Sequence, residues 1–331
     1  MDHAAGSAER MKEEKSGACM KGLELAEKYY ETYGRQMLEE RFPQVIGRAA
    51  MGLVGQGSEC FGFDDEISTD HDYGPSFCIW LPRETYRKYG EEIQRAYEAL
   101  PQEFMGFSGR VVQEQGQGRV GVLCLEDFYA GILGCDKIPE TSQEWLDVNE
   151  ENLATATNGK VFEDRFGVFT SVRDSLLHYY PREVWIRRLV QCMAKAAQAG
   201  QYNYARAMKR GERIAAELAL TEFIRESMKV VYLLNQKYAP YDKWIHRGMK
   251  GLSVGAEIGD MLNLLYTVDP AEAWEGVSAD DYVYHLNTND GRVLIIEAVC
   301  NIIVQELNAQ GLSDGQDNFL QNHLPALLGK L

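Results

Sequence analysis

Apolar residues recur at helical spacing from Met20 to Leu38, where Leu23, Ala26, Tyr29, Tyr30, Tyr33 and Met37 fall on one side. Phe42-Pro43 closes that pattern, because the residue before a proline is pushed out of the helical region. AAMGLVGQGS follows as a short apolar segment ending in glycines, and FCIWL reads as a compact buried strand. The polar loop ECFGFDDEISTDHDYGPS separates them. Residues 83–99 return to helical spacing with Tyr86, Tyr89, Ile93 and Tyr97 along one side, and GRVGVLCLEDF at 118–128 reads as a second central strand. Helix and strand patterns thus alternate through this half, which predicts a small α/β sheet. From about 157 to 173, NGKVFEDRFGVFTSVRD reads as a hairpin with Gly167 at its turn.

After Pro181 the pattern becomes helical throughout. Residues 182–199 put Trp185, Leu189, Val190, Met193 and Ala197 on one face, and residues 211–236 do the same with Ile214, Leu218, Met228, Val231 and Leu234. Pro240 breaks that second run. Further helical stretches cover about 253–266 and 292–308, with a short one near 317–328. The expected organisation is a polar lead-in at 1–19, an α/β domain at 20–175 and a helical domain at 176–331. The fold class is α+β, a small sheet domain followed by a helical bundle.

Composition narrows the function. The chain has 331 residues, enough for one large domain or two smaller ones, and 45% of them are hydrophobic. No run of 18 apolar residues suggests a membrane span. The N-terminal MDHAAGSAERMKEEKSGACMKG lacks the apolar core of a signal peptide. Seven cysteines are scattered without a C-x-x-C pair, which argues against a disulfide framework or a structural zinc site and for buried thiols in a reducing cytoplasm. A net charge of −16 puts nucleic acid low among partners, since phosphate binding needs clustered Lys and Arg; an acidic surface favours cationic small molecules or basic proteins.

The chemistry concentrates in one stretch. Gly57-Ser58 is followed, after eleven residues, by Asp70-His71-Asp72. In an extended strand, residues two apart share a face, so Asp70 and Asp72 would project side by side. Two carboxylates that close call for a cation between them, and a pair of hard oxygen ligands suits Mg²⁺, with Mn²⁺ as a substitute. Gly57 lets backbone approach a ligand, and the Ser58 hydroxyl with nearby N–H groups can hold a phosphate. Together these are the parts of a phosphoryl or nucleotidyl transfer site. Other motif readings fail. Gly55-Gln56-Gly57 lacks the third glycine and following helix of a dinucleotide fingerprint. Asp70-x-Asp72-x-Gly74 has Leu81 where a calcium loop needs glutamate, and no G-x-x-x-x-G-K-[S/T] occurs.

VGQGSECFGFDDEISTDHDYGPSFCIWL resembles the G-S…D-x-D signature of the DNA polymerase β-like nucleotidyltransferase superfamily. The chain resembles more closely a bacterial family within it known only as a domain of unknown function, through NGKVFEDRFGVF, YYPREVWIRRL, QYNYARAMKRGERIAAE, NQKYAPYDKWIHRG and DNFLQNH. The resemblance implies a mixed sheet, Asp70 and Asp72 as metal ligands, and a helical domain like that of antibiotic nucleotidyltransferases. It also implies a third carboxylate on a neighbouring strand. Gly121 stands where that acid is expected, and Glu126 or Asp127 could replace it or could cap the next helix.

In the helical half, Asn203, Arg206 and Arg210 share a helix face and could reach a triphosphate or pair with nearby glutamates. Tyr241, Lys243, Trp244, His246 and Arg247 form an aromatic–basic patch in which Lys243 is the candidate phosphate contact. The expected activity is Mg²⁺-dependent transfer of a nucleoside monophosphate, from ATP, to a hydroxyl or amine of a small, cationic acceptor or of a protein. The alternative is a nucleotide-binding regulatory or interaction module without turnover. Oligomeric state is not readable from the sequence.

Overall fold

The computed structural model describes residues 20–69, 73–110, 118–135, 137–277 and 287–331. The two apolar runs flanking the polar loop pair antiparallel as β1 (Ala50–Leu53) and β2 (Cys78–Leu81), with Gly52 opposite Cys78. Both strands are buried along their whole length, which is why neither shows the alternation of a half-exposed strand. Ile79 and Leu81 of β2 enter a cluster with Tyr29, Tyr30, Leu38, Phe42, Phe77 and Ile93. Trp80 points to the other face, where its ring lies 5.3 Å from Phe128 and 4.1 Å from Phe169. The sheet is therefore covered on both sides.

Helices α1 (Gly22–Tyr29) and α2 (Arg35–Arg41) are joined through a π-helical turn at Tyr30–Gly34. Phe42 leaves helical geometry, and Pro43 opens the short α3 (Pro43–Ile46), where a missing N–H costs nothing. After β2 comes α4 (Arg83–Glu98), then the two-stranded ribbon β3 (Glu103–Phe104) and β4 (Phe107–Ser108). Strand β5 (Gly121–Cys124) runs parallel to β2 and leads into α5 (Leu125–Leu133). The sheet order is β5-β2-β1-β6, where β6 is Lys160–Asp164. The 118–128 segment is thus an edge strand of four residues rather than a central one, because its apolar residues from Leu125 onward turn into helix.

The hairpin expected at 157–173 is also corrected. Only its first half is a strand, β6 (Lys160–Asp164), antiparallel to β1; its second half opens helix α8 (Thr170–Leu177). Asp164 decides this, since its carboxylate accepts the amides of Val168, Phe169 and Thr170 at 2.8–3.0 Å. Gly167 does sit in the turn, in the left-handed region at φ 70°.

Two compact units result, one combining the chain up to Ile138 with Thr155–Leu177, the other Pro139–Ala154 with His178–Leu331. The sheet lies in the first. The second begins with α6 (Ser142–Asp147), whose Thr141–Glu144 capping box fixes its start, and the chain crosses between units within α7 (Glu150–Thr157). The second unit continues with α9 (Arg182–Ala196), a π-helical segment at Ala197–Tyr204, α10 (Ala205–Lys209), α11 (Arg213–Leu234), α12 (Asp242–Met249), α13 (Glu257–Leu264), α14 (Gly291–Ala309) and α15 (Leu324–Leu328). Ile214 and Leu218 do not face the core as their spacing suggested; they are 77% and 68% exposed. The first half of α11 instead buries Ala216, Leu220 and Phe223, a stripe on the opposite side of the helix. The chain is a small mixed sheet with helices, together with a helical unit. Among the described residues, no helix is long and apolar enough to cross a membrane.

Candidate functional site

Strand pairing brings one end of three strands together. Gly52 pairs with Cys78, and Cys78 pairs with Gly121, so the exit of β1 and the starts of β2 and β5 share a sheet end. The chain leaves β1 there and coils through Gly55–Gly62. Within that coil, Cys60, Gly62 and Phe63 donate their amides to the carbonyls of Gly57, Glu59 and Ser58 at 2.9–3.1 Å. Among the described residues, no acceptor takes the amide hydrogens of Gly57, Ser58 or Glu59. Gly57 and Ser58 are half-buried. Three consecutive amides without a described acceptor, at the end of a sheet, are the donors an anion-binding turn uses.

The surroundings fix this turn firmly. Gly55 donates its amide to Asn158 Oδ1 at 3.0 Å, and Asn158 Nδ2 donates back to the Gly55 carbonyl at 2.7 Å. The loop carrying Asn158 is itself held by Arg173, whose Nη2 donates to the carbonyls of Thr157 and Asn158 at 2.6 and 3.0 Å. Gly159 adds an amide bond to the Cys60 carbonyl at 2.7 Å, in a left-handed conformation at φ 63° that suits glycine. On the opposite side Glu59 forms an ion pair with Arg110 at 3.0 Å, and the two side chains are only 8% and 6% exposed. A Cβ on Gly57 would collide with the Glu59 carboxylate, so glycine here protects the ion pair. Asp64, also buried, accepts the Gly22 amide at 2.8 Å and ties the end of the coil to the start of α1.

Asp70 and Asp72 lie outside the described residues. Strand β2 begins only at Cys78, so its pairing does not itself set their projection. Gly121 stands at the sheet end next to the turn, at φ 92°. Glu126 and Asp127 follow the other end of β5. Glu126 accepts the Arg83 amide at 3.0 Å, at the start of α4, and Asp127 pairs with the Arg83 guanidinium at 2.7 Å, a hydrogen bond that holds its carboxyl below the usual range. The structure therefore keeps both acids away from Gly57-Ser58. Among the described residues, no group of three His, Cys, Asp or Glu could hold a metal.

In the helical unit, Arg206 and Arg210 line one groove with Lys195, Gln198 and Asn203. Arg206 stacks over Tyr202, 4.6 Å from its ring centre, so pairing with glutamate does not explain it. Lys243 is not among the groove's lining residues. It is exposed, with its ammonium 4.9 Å from the centre of the Trp244 ring, and Trp244 is buried and donates to Tyr241 Oη at 2.8 Å. The cysteines at 60, 78, 124, 192 and 300 are buried free thiols; burial pushes Cys78 up to about 12, which keeps it inert.

Sequence reading missed Asn158, Arg173, Glu59 and Arg110. The Asn158-Gly159 dipeptide was a turn signal, but nothing local marks Arg110, whose partner is 51 residues away.

Residues 145–245 match the model of a family described as Domain of unknown function (DUF4037). A search of curated proteins finds no match. Among solved structures, a nucleotidyltransferase-like protein from Exiguobacterium sibiricum 255-15 is similar at 10% identity, over 92% of this chain and 90% of that one, with a TM-score of 0.31. So loose a superposition carries neither fold nor activity to this chain.

Proposed function

We propose that the chain is a nucleotidyltransferase that moves a nucleoside monophosphate from a Mg²⁺-bound triphosphate, ATP, to a hydroxyl or amine of a small acceptor. The observation that carries this reading is the clamped turn at Gly57–Glu59, with three consecutive amides that nothing described accepts, at the end of the sheet from which the chain runs toward Asp70 and Asp72. The amides and the Ser58 hydroxyl would cradle the terminal phosphates. The clamp by Asn158 means these donors need no reordering when the anion arrives, which is how a fixed site stabilises developing charge. Asp70 and Asp72 would hold the metal, and they carry the whole of the metal assignment. Bound there, Mg²⁺ would draw charge from the triphosphate. The acceptor oxygen or nitrogen bonds to the α-phosphorus as the bond to pyrophosphate breaks, and the acceptor proton passes to water. Incubation with labelled ATP, Mg²⁺ and candidate acceptors should release pyrophosphate, and Asp70→Ala should abolish it. Absence of transfer, with Asp70→Ala indistinguishable from wild type, defeats the reading.

One observation favours a second reading, a nucleotide-binding module without turnover. Glycine occupies the site end of β5, and the two acids that follow that strand are engaged with Arg83 at its other end. This reading predicts Mg²⁺-dependent thermal stabilisation by ATP without its consumption. Turnover abolished by Asp72→Asn rules it out.

A further inference from the structure

The helical unit carries a groove of about 750 Å³ lined from α9, from the π-helical segment with α10, and from α11. Gln321 apart, its lining residues fall within 145–245, the span that matches the family of unknown function. One stretch singled out in the sequence, QYNYARAMKRGERIAAE, supplies much of its wall, and the turn at Gly57–Glu59 makes no use of that stretch.

A row of hydrogen-bond donors runs along this wall. Asn203, Arg206 and Arg210 stand three and four residues apart and all line the groove. Asn203 Oδ1 already accepts Gln198 Nε2 at 3.3 Å, and among the described residues no acceptor takes its Nδ2 group. Arg206 is braced, with its guanidinium 4.6 Å from the centre of the Tyr202 ring and one Nη donating to the Tyr202 hydroxyl. Neither Arg206 nor Arg210 has an acidic partner among the described residues. Two like charges four residues apart on a helix repel each other, and a chain with 50 acids against 34 bases leaves this pair unneutralised. Elsewhere the lining holds one further cation, Lys195, and one acid, Glu222; Lys195 already has Glu226 at 3.9 Å. What the row lacks is an acceptor, and the unbalanced charge makes it an anionic one.

The remaining wall is apolar. Alanines of α9, α10 and α11 line it beside Leu218. Leu218 and Ile214, one turn apart on α11, are the exposed pair whose spacing had pointed to the core, and nothing in the helical unit covers them. An uncovered apolar stripe beside unneutralised guanidinium groups suits a ligand that has both characters.

We propose that this groove binds an alkyl phosphate, with the phosphate held by Arg206 and Arg210 and the alkyl chain laid along the alanines and Leu218. Guanidinium forks match phosphate oxygens in pairs, and the bracing of Arg206 on Tyr202 reduces the freedom lost on binding. The volume lies within the about 300–1,000 Å³ of small-ligand sites, which leaves room for the chain as well as the head.

The test is calorimetric titration of the full-length protein, without nucleotide or Mg²⁺, with hexyl phosphate, inorganic phosphate, 1-hexanol and hexyltrimethylammonium. A second arm measures co-sedimentation with phosphatidylcholine vesicles containing phosphatidic acid, which separates a free ligand from a lipid headgroup. Hexyl phosphate should bind, the alcohol and the cation should not, and inorganic phosphate should bind at least about tenfold more weakly for want of buried methylenes. Arg206→Gln combined with Arg210→Gln should weaken hexyl phosphate by about ten- to a hundredfold. Leu218→Ser should weaken hexyl phosphate and leave inorganic phosphate unchanged. Arg210 and Leu218 are exposed, so Arg210→Gln and Leu218→Ser leave the core intact, and each alone should lower the affinity for hexyl phosphate. Full affinity in the double arginine variant, equal affinity for phosphate and its hexyl ester, binding of the cation, or no binding of hexyl phosphate would overturn the proposal. Binding to the vesicles without binding of hexyl phosphate would make the surface a membrane contact and overturn it too. None of these outcomes bears on the transfer reading, which rests on Asp70 and Asp72.

Discussion

Glu150 opens α7 with its Oε1 sealed from solvent and without a hydrogen-bond partner, and Glu150→Gln tests what that burial does to stability. Desolvation raises this carboxyl from 4.5 to about 7 in the folded chain. Between those values the folded state keeps its proton and the unfolded state has lost it. The folded state therefore binds more protons, and stability falls as pH rises through this window and stays low above it. At 1.36 kcal/mol per tenfold, the full rise corresponds to about 3 kcal/mol. Glutamine mimics the protonated acid and has no proton to lose, so it removes that slope. The variant should match wild type near pH 4.5 and exceed it by about 3 kcal/mol at pH 8. Urea unfolding followed by tryptophan fluorescence at half-unit pH steps reads this difference, since Trp145, Trp185 and Trp244 are buried in the same unit. A difference that does not change with pH, or a wild type that gains on the variant above pH 7, would refute the reasoning.

Other outcomes follow from the site in the sheet unit. Arg110→Met strands the buried Glu59 carboxylate and should cost about 3–5 kcal/mol by chemical denaturation; adding Glu59→Leu should recover most of it. Gly57→Ala drives a methyl into the Glu59 carboxylate, so ATP binding measured by calorimetry should drop at least about tenfold while most of the fold survives. Asn158→Ala removes both bonds to Gly55 and should cost about 1–3 kcal/mol of stability together with nucleotide affinity, seen as a smaller thermal shift with ATP.

The strands and helices that sequence made legible were those whose burial is uniform or strictly periodic. FCIWL and residues 83–99 are such cases, and both form as expected. The pattern failed where one local contact reassigns a segment. Asp164 converts the second half of an apparent hairpin into a helix start, and the stripe of Ala216, Leu220 and Phe223 takes the core side of α11 in place of Ile214 and Leu218. Small residues permit close approach, as where Phe223 lies against Gly200, and hydropathy alone does not weigh that. At the candidate site the glycine–serine turn was readable because its residue types are restricted by geometry. Its supports were not, because Arg110 and Arg173 act through partners distant in sequence or through backbone carbonyls. Glu150 was unreadable for a related reason: nothing in EENLATAT distinguishes a sealed carboxyl from a solvated one.

Equilibrium binding of a non-hydrolysable ATP analogue, with and without Mg²⁺, tests the central claim most directly. The clamped turn and the paired aspartates should together bind the analogue in the presence of Mg²⁺, with affinity at least about tenfold lower when the metal is removed or when Asp70 and Asp72 are both alanine. No binding to wild type, or the same affinity in all three conditions, would contradict the account.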